Sequence, residues 1–254
     1  MCTVTILPLK PGVTRLVCNR DEQRSRALAL PPRHYSVGGV DYLAPLDPDS
    51  GGTWIAVNQT GLLCVLLNRT PVIDSERTNN RRSRGSIIPS LQSANSIDTA
   101  IGAMRCLKTS VFAPFRLVMT DGYEIAELLN ANNRLIVLQY PLVNPLMFTS
   151  SGLGDHLVDP LRRNLFQLML DTKAFPEAQQ NAFHRHRWVE HPELSVLMDR
   201  PDAATVSVTE VALTPQLATM TYQTCSQSQL FPVSLHTLEL TNERASCLPF
   251  RQAS

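Results

Sequence analysis

A cysteine in second position is the residue of this sequence whose placement most directly suggests chemistry. Removal of the initiator Met1 is favoured when the next side chain is small, and it would give Cys2 a free α-amine a few bonds from its sulfur. The reference pKa of an α-amine is about 7.7–8.0 and that of a thiol about 8.5, so proton exchange between the two groups is nearly balanced. Such a residue carries its own general base and can form an acyl-enzyme that water later hydrolyses.

The segment Asn19-Arg20-Asp21-Glu22 supplies the polar groups that a cysteine nucleophile needs. The runs Cys2–Leu7 and Thr14–Cys18 predict two strands of one hairpin, and the second strand ends beside Cys2. We therefore expect the guanidinium and the carboxylates of this segment to lie near the nucleophile. The alternative is an ordinary polar turn in which Asp21 pairs with a neighbouring arginine.

The remaining patterns place strand hairpins at both ends of the chain and helices between them. Helical periodicity covers Ser96–Leu107, Pro160–Leu170 and Pro176–Trp188. The segment from residue 19 to residue 52, which is rich in Pro, Gly and Asp, is predicted to be a linker. Further strands are predicted at Thr53–Val57, Leu62–Leu67, Phe115–Thr120, Tyr123–Leu129, Leu135–Tyr140, Thr205–Leu213 and Ala218–Tyr222. This order predicts an α+β domain with two sheets packed face to face and helices outside.

The composition predicts one globular domain over residues 1–254 that acts on a substrate-sized partner. The chain is 43% hydrophobic and its net charge is only +1, which provides no overall field for nucleic acid or an anionic membrane. The longest apolar run, Leu62–Leu67, is too short for a membrane span. No secretory signal is predicted, so the cytoplasm is the expected compartment. The scattered cysteines, and histidines 184, 186 and 191, lack the spacing of a metal site, and no cofactor is expected.

Five short motifs together resemble the NRDE family of transport and Golgi organisation proteins. They occur in the family's order and approximate spacing, and a looser resemblance continues through Ser150–Asp155 and from Thr205 onward. The resemblance implies the four-layer αββα sandwich of the N-terminal-nucleophile (Ntn) hydrolases. The motifs are Met1-Cys2, Asn19-Arg20-Asp21-Glu22, Gly51-Gly52-Thr53-Trp54, Leu67-Asn68-Arg69 and Ser83-Arg84-Gly85.

Within that superfamily, the chain is similar to the distant penicillin V acylase and bile salt hydrolase group, and this similarity implies roles for single residues. Cys2 matches the nucleophile, Asp21 with the adjacent Arg20 matches the group that orients the α-amine, and Asn68 matches an oxyanion amide. The group's later asparagine falls on Ser151, a shorter donor. Loss of one oxyanion donor costs roughly a hundredfold to a thousandfold in rate, so the fold alone does not imply amidase activity.

Three more residues are assigned to substrate binding. Asn19 and Glu22 flank the orienting pair, and Arg84 lies in a basic cluster with arginines 77, 81 and 82. This cluster has the composition of a solvated loop. Alternatively, Arg84 clamps a phosphate or carboxylate of the substrate, together with backbone amides at a helix start.

Two functions from different classes follow from these observations. The first is a cysteine-dependent Ntn hydrolase of a linear amide or related acyl bond, with a small-molecule substrate. The alternative is a non-catalytic binding or trafficking protein that carries haem or an acyl-type hydrophobic ligand in the same pocket. In a third interpretation, a purely structural domain, the thiol of Cys2 would not react with acyl electrophiles near neutral pH.

Overall fold

The computed structural model describes residues 2–69, 82–131, 134–170, 175–226 and 229–241. Within these ranges the α-helices are α1 (Ile87–Leu91), α2 (Ile97–Cys106), α3 (Asp155–Leu170) and α4 (Pro176–His184). The strands are β1 (Cys2–Lys10), β2 (Val13–Gln23), β3 (Leu30–Val37), β4 (Val40–Leu46), β5 (Ile55–Asn58), β6 (Leu63–Asn68), β7 (Phe115–Thr120), β8 (Glu124–Ala131), β9 (Arg134–Pro141), β10 (Leu146–Thr149), β11 (Ala203–Leu213), β12 (Leu217–Ser226), β13 (Gln229–Leu230) and β14 (Ser234–Glu239).

The strands form two antiparallel sheets. The first has the order β10-β1-β2-β11-β12-β13, and β14 also pairs with β12. The second runs from β3 to β9 in chain order. The predicted first hairpin is confirmed, and its register sets Cys2 directly opposite Arg20. The second hairpin, β5 and β6, turns at Gly61, whose φ of +83° belongs to the left-handed region that favours glycine.

Four layers result from the burial of both faces of both sheets. The inner faces pack together around Val4, Cys18 and Val65, among others. Helices α1 and α2 cover the outer face of the second sheet, where Leu91 and Met104 pack among its side chains. Helices α3 and α4 cover the outer face of the first sheet. The predicted four-layer α+β sandwich is therefore confirmed.

The alternation of side chains along β1 decides what each layer can hold. Val4 and Ile6 face the opposite sheet, whereas Thr3 and Thr5 face the helices and bond to polar groups there. The prediction of a linker between residues 19 and 52 is wrong, because β2 extends to Gln23 and the hairpin of β3 and β4 follows. Glycines 38 and 39 turn this hairpin with φ of +59° and +78°.

The helices differ from the predicted ones at their ends. Helix α3 begins at Asp155 and includes Pro160. Because proline has no backbone N–H, the helical hydrogen bond to the carbonyl four residues earlier is absent there. Helix α4 begins at Pro176 as predicted but ends at His184. Among the described residues, no helix has the length and apolar character needed to cross a membrane.

Candidate active site

A cavity of about 340 Å³ lies where β1 begins and where β2 and β6 end. It receives side chains from both sheets and from two loops, so it forms at one end of the sandwich. Most of its lining is polar or charged. The lining residues are Cys2, Arg20, Glu22, Gln23, Arg26, Asp47, Ser50, Thr53, Trp54, Leu66, Asn68, Ser83, Arg84 and Gly85.

Cys2 lines this cavity and is buried, and its thiol lies next to a second thiol. Cys18 is completely buried on the same face of the hairpin, two residue pairs further along it and opposite Val4. A hydrogen bond from Cys18 lowers the pKa of Cys2, whereas burial acts in the opposite direction. The same hydrogen bond and burial raise the pKa of Cys18. The opposite directions of the two pKa shifts identify Cys18 as the thiol that keeps its proton and donates it to the sulfur of Cys2.

The backbone of Cys2 is held by Ser150, the residue that follows β10. The nitrogen of Cys2 donates to Ser150 Oγ at 3.2 Å, and the nitrogen of Ser150 donates to the carbonyl of Cys2 at 3.0 Å. Ser151, the residue selected from the sequence, lies one position further on and does not line the cavity. Its nitrogen donates to Asp155 Oδ1 at 2.9 Å and its hydroxyl accepts from Leu153, so it organises the start of α3.

Arg20 and Asp21 lie on opposite faces of β2, as neighbours in a strand must. Asp21 is 1% exposed on the helix side, where Thr205 Oγ1 donates to its carboxylate at 2.6 Å. Burial raises the pKa of Asp21, and the charge of Arg162 is the largest influence that lowers it. Arg20 and Asp21 thus act on Cys2 from different sides of the sheet.

Arg20 belongs to a network of charges on the cavity side. Its Nη2 lies 3.1 Å from both Glu22 Oε2 and Asp47 Oδ2, and its guanidinium lies 4.5 Å from the centre of the Trp54 ring. Arg26 donates to Asp47 at 2.7 Å. Although burial favours the neutral acid, the bond from Arg26 and the charge of Arg20 lower the pKa of Asp47. The network fixes Arg20 directly opposite Cys2.

The second sheet and its loops contribute Asn68 and Arg84. Asn68 is half-buried at the end of β6, and Arg84 Nη1 donates to the carbonyl of Pro114 at 2.8 Å. Arginines 77 and 81, from the predicted basic cluster, lie outside the described residues. The structure does not bring Asn19 to the cavity. Its amide donates to the carbonyls of His184 and Val196 at 2.9 Å each, on the helix side of β2.

Two of the motifs quoted above meet at the cavity wall. Thr53 donates its backbone N–H to the carbonyl of Gly85 at 3.0 Å, and a Cβ on Gly52 would lie 2.4 Å from that carbonyl oxygen. Gly51 has a φ of +66°, and Trp54 is buried in the core between the sheets. The two loops therefore approach each other by backbone alone, and glycine at position 52 makes this possible.

Several residues of the site were missed by sequence reasoning. Ser150 differs from the selected Ser151 by one position, which only the register of β10 resolves. Asp47 was hidden in the segment read as a linker. Arg162 occupies the stripe Val158, Arg162 and Phe166 that α3 buries, so a charged residue at helical spacing on an apolar face was the available signal. No group of three or more potential metal-ligating side chains occurs in the described parts of the chain.

Comparisons with known proteins agree with this fold. The model of the family described as Transport and Golgi organisation 2 matches residues 1–233. Penicillin V acylase from Agrobacterium tumefaciens is 12% identical, with 95% of this chain and 88% of that chain covered and a TM-score of 0.53. The Caenorhabditis elegans N-acylethanolamine-hydrolyzing acid amidase ortholog is 14% identical, covers 83% and 92%, and has a TM-score of 0.53.

A mutant of conjugated bile acid hydrolase from Clostridium perfringens is 12% identical to this chain. It covers 93% of this chain and 96% of its own, with a TM-score of 0.54. At these identities the three likenesses show the fold alone, which is that of the Ntn hydrolases. No curated protein matches the sequence.

Proposed function

Because the chain belongs to the Transport and Golgi organisation 2 family and has the Ntn-hydrolase fold, we propose that it is a cysteine-dependent hydrolase of a linear amide or related acyl bond. One observation carries this proposal. Cys2 lines a polar cavity, and the nitrogen of the same residue donates a hydrogen bond to Ser150 Oγ. The sulfur of Cys2 would then be the nucleophile, and the nitrogen of the same residue would be the base.

The reaction begins once removal of Met1 has freed the amine of Cys2. The thiol gives its proton to the amine, and the sulfur attacks the acyl carbon to form a C–S bond. As the tetrahedral intermediate collapses, the C–N bond breaks and the ammonium returns its proton to the leaving nitrogen. Water then attacks the thioester with the amine as base, which releases the acid and restores the thiol.

Each surrounding residue has a distinct part in this sequence. Arg20 faces the sulfur across the hairpin and favours its thiolate form. Ser150 accepts a hydrogen bond from the nitrogen, and Asp21 provides the negative charge that orients the ammonium. The amide of Asn68 is the proposed donor to the oxyanion. Ser151 does not line the cavity, so we assign no oxyanion contact to it. If no other lining group replaces that donor, turnover should lie roughly a hundredfold to a thousandfold below that of a two-donor site.

The lining also narrows the substrate. Ligand pockets typically measure about 300–1,000 Å³, so a cavity of about 340 Å³ suits a small acyl compound. Arginines 20, 26 and 84 and the carboxylates of Glu22 and Asp47 surround it. Among the described lining residues, Trp54 and Leu66 offer the main apolar surface, which is little for haem or another large hydrophobic ligand, so we do not favour the carrier alternative.

Turnover of acyl p-nitroanilides with acyl chains of two to eight carbons tests the proposal, with released p-nitroaniline measured by absorbance. We expect hydrolysis by the mature protein and none by Cys2→Ala, because the alanine has no sulfur to attack. Cys106→Ala is the matched control, because Cys106 is an exposed free cysteine, and it should retain full turnover. Equal turnover by Cys2→Ala and the wild type would refute the proposed function.

A further inference from the structure

Arg162 of α3 is a buried cation for which the proposed reaction gives no reason. It is 1% exposed, and its Nε and Nη2 donate to the carbonyls of Leu194 at 3.1 Å and Ser195 at 2.5 Å. Its Nη1 donates to Thr3 Oγ1 at 2.7 Å and to Thr149 Oγ1 at 2.9 Å. Burial of a charged group is strongly unfavourable unless an opposite charge or hydrogen bonds compensate for it, and these acceptors are all neutral. A contribution of this charge to function would explain why it is buried here.

The two threonines place the guanidinium next to the nucleophile. Thr3 follows Cys2 in the chain, Thr149 precedes Ser150, and the two threonines are directly paired between β1 and β10. Their hydroxyls lie 3.0 Å apart. Arg162 thus fastens the two strands one residue away from the hydrogen bond between the Cys2 nitrogen and Ser150 Oγ.

The charge of Arg162 also acts on Asp21. This carboxylate is buried on the same helix side of the first sheet, and Arg162 is the strongest of the charges that favour its ionised form. Arg200, which precedes β11, acts in the same direction more weakly, and Thr205 of β11 donates a hydrogen bond. Without Arg162, burial would hold Asp21 neutral to a higher pH.

We propose that Arg162 is a positioning residue of the acyl-transfer site, which fixes the nitrogen of Cys2 through Thr3 and Thr149 and keeps Asp21 ionised. It touches neither the substrate nor the reacting sulfur. The inference rests on the proposed function, because a nitrogen that takes no part in the reaction would need no such support. Arg162 would contribute in two ways, mechanically through the threonine hydroxyls and electrostatically through the carboxylate of Asp21.

The rate of Cys2 acylation by p-nitrophenyl acetate, followed from pH 4 to pH 9 and mapped by mass spectrometry, distinguishes these contributions. In Arg162→Met we expect acylation at pH 7 to slow by about tenfold to a hundredfold, the usual cost of a displaced reacting group. The acidic limb of its profile should also move to higher pH, because Asp21 then ionises at a higher pH. Arg162→Lys keeps the charge but loses the fork of donors, so it should be slower with the limb nearly unmoved.

The next residue of the helix provides the control. Arg163 is exposed and pairs with Asp159, so Arg163→Met should match the wild type in rate and in profile. If Arg162→Met fails to fold, Thr149→Val tests the mechanical part alone, with slower acylation and an unmoved limb expected. Wild-type rates and profiles in Arg162→Met, or in both Arg162→Lys and Thr149→Val, would overturn the inference. Absence of acylation at Cys2 of the wild type would instead refute the proposed function.

Discussion

Substitution of Gly52 by alanine tests how the cavity wall is built. The new Cβ would lie 2.4 Å from both the carbonyl carbon and the oxygen of Gly85, where ordinary contact begins near 3.4 Å. One loop must therefore retreat by about 1 Å, and the hydrogen bond from Thr53 to Gly85 would be stretched or broken. Overpacking costs about 1–3 kcal/mol and a lost hydrogen bond about 0.5–1.5 kcal/mol, so we expect the free energy of unfolding to fall by about 1.5–4.5 kcal/mol.

Urea unfolding of the full chain measures this loss, and Gly102→Ala is its control. Gly102 lies exposed in α2 with open space around its Cα, so alanine there should raise the free energy of unfolding by up to about 1 kcal/mol. In Gly52→Ala the acylation of Cys2 should also slow, because the displaced loops form part of the cavity. Substitutions at ordinary surface positions change the free energy of unfolding by no more than about 0.5 kcal/mol. If the change in Gly52→Ala is as small as that, the described approach of the two loops is wrong.

Two further predictions concern protons. Cys18→Ala should move alkylation of Cys2 by iodoacetamide to higher pH, because the thiol that donates to the Cys2 sulfur is lost; Cys64→Ala, in the other core, should leave it unchanged. His184 is buried beside Thr5 and Asn19, and burial lowers its pKa to about 3. Below about pH 6.5, His184 is protonated in the unfolded state but stays neutral in the folded state. Acidification towards pH 3 should therefore lower the free energy of unfolding by up to about 4–5 kcal/mol.

Control variants and contradicting results can be stated for both the acid dependence of stability and the alkylation of Cys2. His184→Gln should lose less stability than the wild type over that pH range, whereas substitution of the exposed His34 by glutamine should have no such effect. An identical acid dependence in His184→Gln and the wild type would show that another group dominates. For the thiol pair, an unshifted alkylation profile in Cys18→Ala would mean that the two sulfurs do not share a hydrogen bond.

The sequence allowed the placement of Cys2 beside Arg20 to be predicted because a hairpin fixes the pairing of its strands once the turn is recognised. Since side chains alternate along a strand, Asn19 and Asp21 must face away from Arg20 and Glu22, and the structure places them on the helix side. A group of four consecutive polar residues therefore divides between two layers.

Other features required the register or distant packing. Ser150 and Ser151 are equivalent by composition, and only the pairing of β10 with β1 selects Ser150 as the contact of the Cys2 nitrogen. The strands of the β3 and β4 hairpin were concealed by prolines and glycines, although Val37-Gly38-Gly39-Val40 carries a turn signal between alternating residues. The contact of Arg162 with Thr3 spans 159 residues, and no local pattern predicts it.

In the proposed reaction the sulfur and the freed nitrogen of Cys2 act together, and mass spectrometry of the mature protein tests this. We expect the initiator Met1 to be absent and one acetyl group to appear as a thioester on Cys2 after brief treatment with p-nitrophenyl acetate near neutral pH. The thioester should then disappear as water hydrolyses it. Retention of Met1, or an unlabelled Cys2 beside a labelled Cys106, would contradict the account.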